Sequence, residues 1–180
     1  MHFEPTAIGD VWIVSLDLQP DERGFFARTF CQDEFARQGL VHTFAQDSLA
    51  VNQRRGTVRG LHYTRAPHYE TKIIRCIRGS IFDVAVDLRE DSPTYRQTFT
   101  RVLKDVDRES IYIGGGMAHG YQTLTDDTEV SYRIDVPYVV GHALGIRFDD
   151  PALSIPWPLS VSVISERDRQ LPALTEGGPR

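Results

Sequence analysis

Lysine is nearly missing from this sequence. Lys72 and Lys104 are the only two, and every other cationic side chain is an arginine. The arginines fit coding bias. Lys72 is the exception to weigh, because lysine and arginine do not replace one another at a site that needs a compact cation. Cysteine is also scarce. Cys31 and Cys76 stand alone, in neither a CxxC nor a CxxH pattern, so zinc-ligand spacing is missing. A reduced, cytoplasmic protein fits that usage. There is no excess of positive charge: the formal net charge is -5, which argues against a nucleic-acid-binding face. No apolar run approaches the ~20 residues that span a bilayer. The first residues, MHFEPTAIGDVW, lack a charged segment followed by an apolar one, so no secretory signal is expected. No glycine-rich dinucleotide fingerprint opens a helix after a strand, and no cofactor is implied.

What is present is a series of short β-rich runs. Val11–Asp17, Gly24–Thr29, Phe44–Asn52, Gly56–Tyr63, Lys72–Ile77, Ser80–Leu88, Gln97–Leu103, Glu109–Ile113, Gly120–Leu124, Thr128–Asp135 and Gly145–Phe148 are separated by turn residues. One helix is expected at Asp33–Gly39, with Asp33 as N-cap and Gly39 as stop. Arg78-Gly79 reads as a tight hairpin turn between its two flanking strands. In the second of these, Ile81, Asp83, Ala85 and Asp87 alternate with Phe82, Val84, Val86 and Leu88, a period of two with one apolar face. Regular strand spacing and little helical periodicity predict one all-β domain over residues 1–180, a sandwich or barrel with short peripheral helices. The last six residues are expected to fray.

Polar residues inside strands need a reason to point inward, and a ligand cavity is one. His62, Lys72, Asp83, His119 and Tyr132 are such residues. The hairpin-flanked segment invites comparison with a metal-binding cupin strand pair. Here Lys72 stands where the carboxylate ligand is expected, and no His-x-His pair precedes it, so a metal is disfavoured. His119, in GGGMAHG, matches the lone histidine of the second cupin motif.

At these residues the sequence resembles the dTDP-4-dehydrorhamnose 3,5-epimerases. The resemblance runs from Asp21 to Leu174 through DERGFF (Asp21–Phe26), AQD (Ala45–Asp47), GTVRGLHY (Gly56–Tyr63), YETKII (Tyr69–Ile74), RGSIFDVAVDLR (Arg78–Arg89), MAHGY (Met117–Tyr121), VSYRIDVPY (Val130–Tyr138), DDPALSIPWP (Asp149–Pro158) and SERDRQLPAL (Ser165–Leu174). It implies a cupin-type jelly roll, a homodimer, and a nucleotide-diphosphate sugar with a 4-keto group as substrate. The C4 ketone acidifies the hydrogens on C3 and C5. A base removes one, an enolate forms, and an acid returns a proton on the opposite face.

The resemblance assigns His62 as base, a suitable group because imidazole titrates near neutrality. It assigns Asp168 as the carboxylate orienting His62, Tyr132 as acid, and Lys72 as the cation beside the C4 oxygen. Arg23 and Arg59 match pyrophosphate-binding residues, Arg23 coming from the partner subunit. Tyr138 matches an aromatic stacked on the nucleobase. His119 matches a residue lining the sugar pocket. Phe26, Arg28, Gln46 and Ser48 fall at further substrate-binding positions. Three of the sequence's departures lie on the nucleotide side: Arg28 and Ala143 where the family has glutamate, and Ser48 where it has asparagine. An arginine only donates hydrogen bonds, so Arg28 points to a CDP- or GDP-linked sugar. The fourth departure is Gly114-Gly115-Gly116, in place of a loop that normally starts with proline. The resemblance leaves open inversion at C3, at C5 or at both, and the competing readings are a metal-dependent cupin isomerase or oxygenase and a non-catalytic sugar-binding barrel.

Overall fold

A computed structural model describes residues 1–174. Its strands, in chain order, are β1 (His2–Pro5), β2 (Val11–Ser15), β3 (Gln19–Asp21), β4 (Gly24–Phe26), β5 (Gln46–Asn52), β6 (Thr57–Tyr63), β7 (Lys72–Arg78), β8 (Ser80–Asp87), β9 (Thr98–Lys104), β10 (Glu109–Ile113), β11 (Met117–Thr123), β12 (Thr128–Ile134), β13 (Leu144–Gly145) and β14 (Val163–Ile164). Helix α1 (Gln32–Arg37) follows β4 and helix α2 (Glu166–Arg169) follows β14. No helix among the described residues is long and apolar enough to cross a membrane.

The strands form two sheets and a separate hairpin. One sheet has the order β1-β2-β10-β7-β12-β5. The other has the order β13-β6-β11-β8-β9, with β14 pairing parallel to β6. All other pairings are antiparallel. The two sheets close over one shared core. Val11, Ile13, Ile74, Cys76, Ile111, Ile113 and Val130 come from the first sheet, and Ile81, Ala85, Leu103, Met117 and Tyr121 from the second. The spacing of the strands predicted a sandwich or barrel, and the resemblance implied the jelly roll; the two sheets form that barrel. Strands β3 and β4 pair only with each other and stand off as an arm.

The expected hairpin is corrected. Arg78-Gly79 is not a hairpin: β7 lies in the first sheet and β8 in the second. One residue separates these strands, too few to fold one back on the other. Gly79, at φ +82°, instead turns the chain from sheet to sheet, and a Cβ there would collide with Thr125 and Thr128. The structure also assigns the faces of β8, which the alternation alone left open. Phe82, Val84, Val86 and Leu88 point away from the barrel, into a second core capped by Ile146, Leu153 and Trp157. The face with Asp83 and Asp87 points inward, beside Ile81 and Ala85. Both faces of β8 are buried, so its apolar side marks the covering segment rather than the interior.

The outer face of the first sheet is covered in part by α1, whose Phe35 packs with Val14, Ile73 and Tyr112. The helix begins at Gln32, with Cys31 rather than Asp33 in the N-cap position. Gly39, at φ +73°, ends the turn as expected. The fraying expected of the last six residues lies outside the described residues.

Candidate active site

Side chains alternate along each strand, so one inward residue predicts the next. On β7, Lys72 shares the face of Ile74 and Cys76, which are core residues. On β12, Tyr132 shares the face of Val130 and packs against the same core. On β11, His119 shares the face of Met117 and Tyr121. On β5, Gln46 and Ser48 share the face of Ala50 and Asn52, and Ala50 packs on the core. These strands therefore bring five of the expected residues to one concave interior.

Arg59 and His62 break this rule in an informative way. They are three apart on β6, so a regular strand would point them to opposite faces. The register of β6 against β11 shifts between them: His119 faces His62, and Tyr121 faces Arg59. Three steps on β6 match two on β11. This β-bulge turns both side chains toward the inward residues of β11. Gly60 sits in the bulge at φ +110°, where a Cβ would lie 2.7 Å from Gly120 Cα and from the His119 carbonyl oxygen. Only glycine allows the two strands to approach so closely.

His62 and Asp168 meet here. His62 Nε2 lies 2.7 Å from Asp168 Oδ1, and the second carboxylate oxygen accepts the Gly60 backbone N–H at 3.1 Å. The imidazole is 37% exposed and the carboxylate 6%. Asp168 is carried by α2, where the Ser165 hydroxyl accepts the Asp168 N–H at 3.0 Å as N-cap. Burial works against ionisation of Asp168. The His62 hydrogen bond, its charge, the Gly60 N–H and the Ser165 contact outweigh burial and hold the carboxyl below its usual range. An open cleft beside the pair is lined by Thr57, Arg59, Ile164 and Ser165.

A second imidazole–carboxylate pair lies deeper. His119 Nε2 is 2.8 Å from Asp83 Oδ2, and both side chains are buried. The His119 ring packs edge-on against Tyr132 at 6.0 Å. Burial raises the Tyr132 phenol well above its ordinary pKa, helped by neighbouring Tyr121 and Asp83, with Arg59 pulling the other way. Lys72 is nearly buried, with its ammonium 2.9 Å from Glu70.

Other expected residues lie elsewhere in the chain. Arg23 and Phe26 sit on the β3–β4 arm, with the Arg23 side chain 84% and Phe26 74% exposed. Arg28 spends its guanidinium on Glu34 at 3.2 Å and on Cys31 Sγ. Tyr138 is exposed beyond the end of β12. Three residues that sequence reading left without a role join the interior: Asp83 behind His119, and Asn52 and Tyr121 beside Arg59. Asn52 lies four positions from Ser48 and Tyr121 two from His119, so for these two the alternation itself was the missed signal, while Asp83 already stood out as a polar strand residue without a partner. Among the described residues no group of three or more His, Cys, Asp or Glu side chains could hold a metal ion.

A lysine and a phenol facing inward beside an accessible His–Asp pair suit proton transfer at a carbon next to a carbonyl. Comparison with known proteins leads to the same chemistry. A curated dTDP-4-dehydrorhamnose 3,5-epimerase of Methanothermobacter thermautotrophicus is 39% identical over 97% of this chain and 95% of its own length. One from Sinorhizobium fredii is 37% identical over 98% of this chain and 91% of its own. The crystal structure of the Bacillus anthracis enzyme, with TDP and pyrophosphate bound, superposes with a TM-score of 0.93 at 36% identity, covering 96% of this chain and 99% of that one. The profile of the family matches residues 5–176. Sequence, fold and site geometry thus agree that the chain belongs to the dTDP-4-dehydrorhamnose 3,5-epimerase family, a family of isomerases with a cupin-like jelly roll.

Proposed function

We propose that this chain epimerises dTDP-4-keto-6-deoxyglucose at C3 and C5, in deoxysugar biosynthesis, with residues 1–180 acting as one domain. The observation that carries the reading is the His62–Asp168 pair, bonded at 2.7 Å with its imidazole still accessible. His62 removes the proton beside the ketone. Asp168 fixes the ring and stabilises the imidazolium that forms. Lys72 faces the growing negative charge on the C4 oxygen, an effect on the order of a few kcal/mol. Tyr132, held protonated by its buried position, returns a proton from the opposite side. His119 lines the sugar pocket, Arg59 binds the pyrophosphate, and Gln46, Ser48 and Tyr138 serve the nucleotide. No cofactor takes part, because the reaction moves only protons. Free Cys31 and Cys76 fit a cytoplasmic enzyme.

The nucleotide follows from Arg28. A preference for CDP or GDP would rest on that guanidinium, which is already engaged by Glu34. The reading therefore takes dTDP. The experiment is proton exchange in heavy water, followed by NMR, with dTDP-, CDP- and GDP-linked 4-keto-6-deoxyglucose. Exchange at C3 and C5 fastest with dTDP, and abolished by His62→Ala, is the expected result. Faster exchange with CDP or GDP would overturn the nucleotide assignment. Exchange surviving His62→Ala would overturn the mechanism.

The reading also includes a homodimer in which the β3–β4 arm reaches the partner's site. Exposed Phe25 and Phe26 on the arm, with exposed Leu49, Val51 and Ile77 on the first sheet, support it. Inactive Arg23→Ala and His62→Ala proteins, unfolded and refolded together, then form mixed dimers with one complete site. Recovery of roughly a quarter of wild-type activity is expected for random pairing of two-fold dimers. No recovery would place Arg23 in its own subunit's site.

A further inference from the structure

One buried amide ties the two sheets together beside Arg59. Asn52 is 2% exposed and ends β5, in the first sheet. Its Nδ2 donates to the Thr128 carbonyl of β12 at 3.1 Å, with a longer contact to the Ala50 carbonyl at 3.5 Å. Its Oδ1 accepts from two side chains of the second sheet, Arg59 Nε at 2.8 Å and the Tyr121 hydroxyl at 3.3 Å. Arginine has donors only, so the amide atom that it meets is the oxygen. An amide side chain has two donor hydrogens and two acceptor sites, and all four are used here. The orientation of Asn52 is therefore fixed from both sheets.

This bond sorts the donors of Arg59. The guanidinium carries five N–H groups in a rigid plane. Nε gives its hydrogen to Asn52, and Nη2 gives one to the Val51 carbonyl at 3.3 Å. These two groups lie along one edge of the plane, and the protein occupies that edge. Both hydrogens of Nη1 and one of Nη2 remain, at the end of the side chain. Among the described residues no carboxylate pairs with Arg59. Arg59 lines the cleft that also holds His62 and Asp168. Two parallel N–H groups suit a phosphate, and the free end of Arg59 offers that pair.

The amide matters for the charge that it lacks. A carboxylate at this position would also accept from Nε, but it would cancel the charge that attracts a diphosphate. Asn52 orients the guanidinium and leaves its charge whole.

Resting on the epimerase reading above, we infer that Asn52 is a positioning residue for the nucleotide diphosphate, acting through Arg59. It holds Nε so that the end of the guanidinium stands ready for the phosphates before the substrate arrives. Holding one long side chain in its bound form is worth roughly three- to tenfold in affinity.

The test is a double-mutant cycle on dTDP affinity, measured by calorimetry. Wild type, Asn52→Ala, Arg59→Ala and the double variant are compared. dTDP carries the diphosphate without the sugar, so the readout is independent of turnover. Asn52→Ala is expected to weaken dTDP binding roughly three- to tenfold. KM for the sugar nucleotide should rise with it, and turnover at saturation should fall by a smaller factor. With Arg59 already replaced by alanine, nothing is left to position, and adding Asn52→Ala should change affinity by less than about twofold. A merely structural asparagine would weaken binding by the same factor in both backgrounds, and that result overturns the inference. An Asn52→Ala protein that binds dTDP as wild type does overturns it equally. Asn52→Asp is the second variant, because it keeps the volume of the side chain and opens no cavity. It should bind dTDP more weakly than Asn52→Ala, since it adds a negative charge beside Arg59. Wild-type affinity in Asn52→Asp would refute the role of the uncharged amide. Wild type that binds dTDP but exchanges no proton at C3 or C5 would strike the epimerase reading and leave the positioning role standing.

Discussion

Two imidazole–carboxylate pairs stand side by side across β6 and β11, and they differ in almost everything except the bond. His62 and His119 are Cα partners, and their contacts to Asp168 and Asp83 are 2.7 and 2.8 Å. The His62 ring is 37% exposed, and the His119 ring 5%. Asp168 comes from a short helix near the end of the chain and is satisfied by Gly60 and Ser165 as well. Asp83 comes from a central strand, and its second oxygen is buried without a hydrogen-bond partner. The comparison teaches that a His–Asp bond does not by itself make a base. Access decides. The open pair can meet a ligand's C–H bond. The closed pair ties β8 to β11 and sets the ring against which Tyr132 packs.

The largest expected effect breaks the open pair. His62→Ala should lower turnover by about 10³-fold, the range of a lost general base. Asp168→Asn should follow with roughly 10²-fold, since the ring keeps its place but loses the carboxylate that stabilises its charged form. Both are read in the exchange assay, with thermal unfolding as control. If Asp83→Ala were as damaging per folded molecule as Asp168→Asn, the distinction between the pairs would fail.

Stability should rank the pairs in reverse. Asp83→Ala leaves a buried His119 nitrogen without its partner, at a cost of roughly 2 kcal/mol. Asp168→Ala leaves an imidazole that water can reach and should cost less. Denaturant unfolding of the two variants checks the order.

Acid should act on the carboxylates that the fold holds ionised. Asp168 titrates below its unfolded value, so its stabilisation is complete above the ordinary carboxylate range and is lost as pH falls through the lowered pKa. Asp87 gives a clearer window. Burial opposes its ionisation, but Arg89, Ser92 and Thr94 pull its pKa down to about 2. Its contribution of roughly 2 kcal/mol should be present above pH ~4 and vanish toward pH 2. In Asp87→Asn, stability should lose that part of its slope between pH 4 and 2, as measured by denaturant unfolding.

The chain order of strands and the residues of the open pair were legible in the sequence for different reasons. Glu109–Ile113 was read to the residue, because apolar alternation bounded by turn residues is a local property. His62, Lys72 and Tyr132 stood out as polar residues inside strands, but their roles, and Asp168 altogether, were legible only through resemblance to the family. Strand parity would have sent Arg59 and His62 to opposite faces, since no local rule reveals a bulge. The faces of β8 could not be assigned from sequence, because an apolar stripe does not say which layer covers it. Asn52 and Tyr121 were passed over, and Asp83 was left without a partner, for a related reason. Their contacts lie 7, 11 and 36 residues away in the chain, and only the barrel brings them together.

The smallest effect concerns how the open pair is mounted. Asp168 sits at the third position of α2, and the Ser165 hydroxyl holds its backbone N–H. Ser165→Ala removes the cap at a cost of about 1 kcal/mol. The closed pair has no such mounting, since β8 and β11 are paired along their length from Met117–Asp87 to Thr123–Ile81. Ser165→Ala should therefore loosen Asp168 alone. Turnover should fall by only a few fold, because the Gly60 N–H still holds the carboxylate, and Asp83 and His119 should keep their NMR shifts. A variant whose His119 signals move as far as those of His62 would show that the two pairs are not mechanically separate.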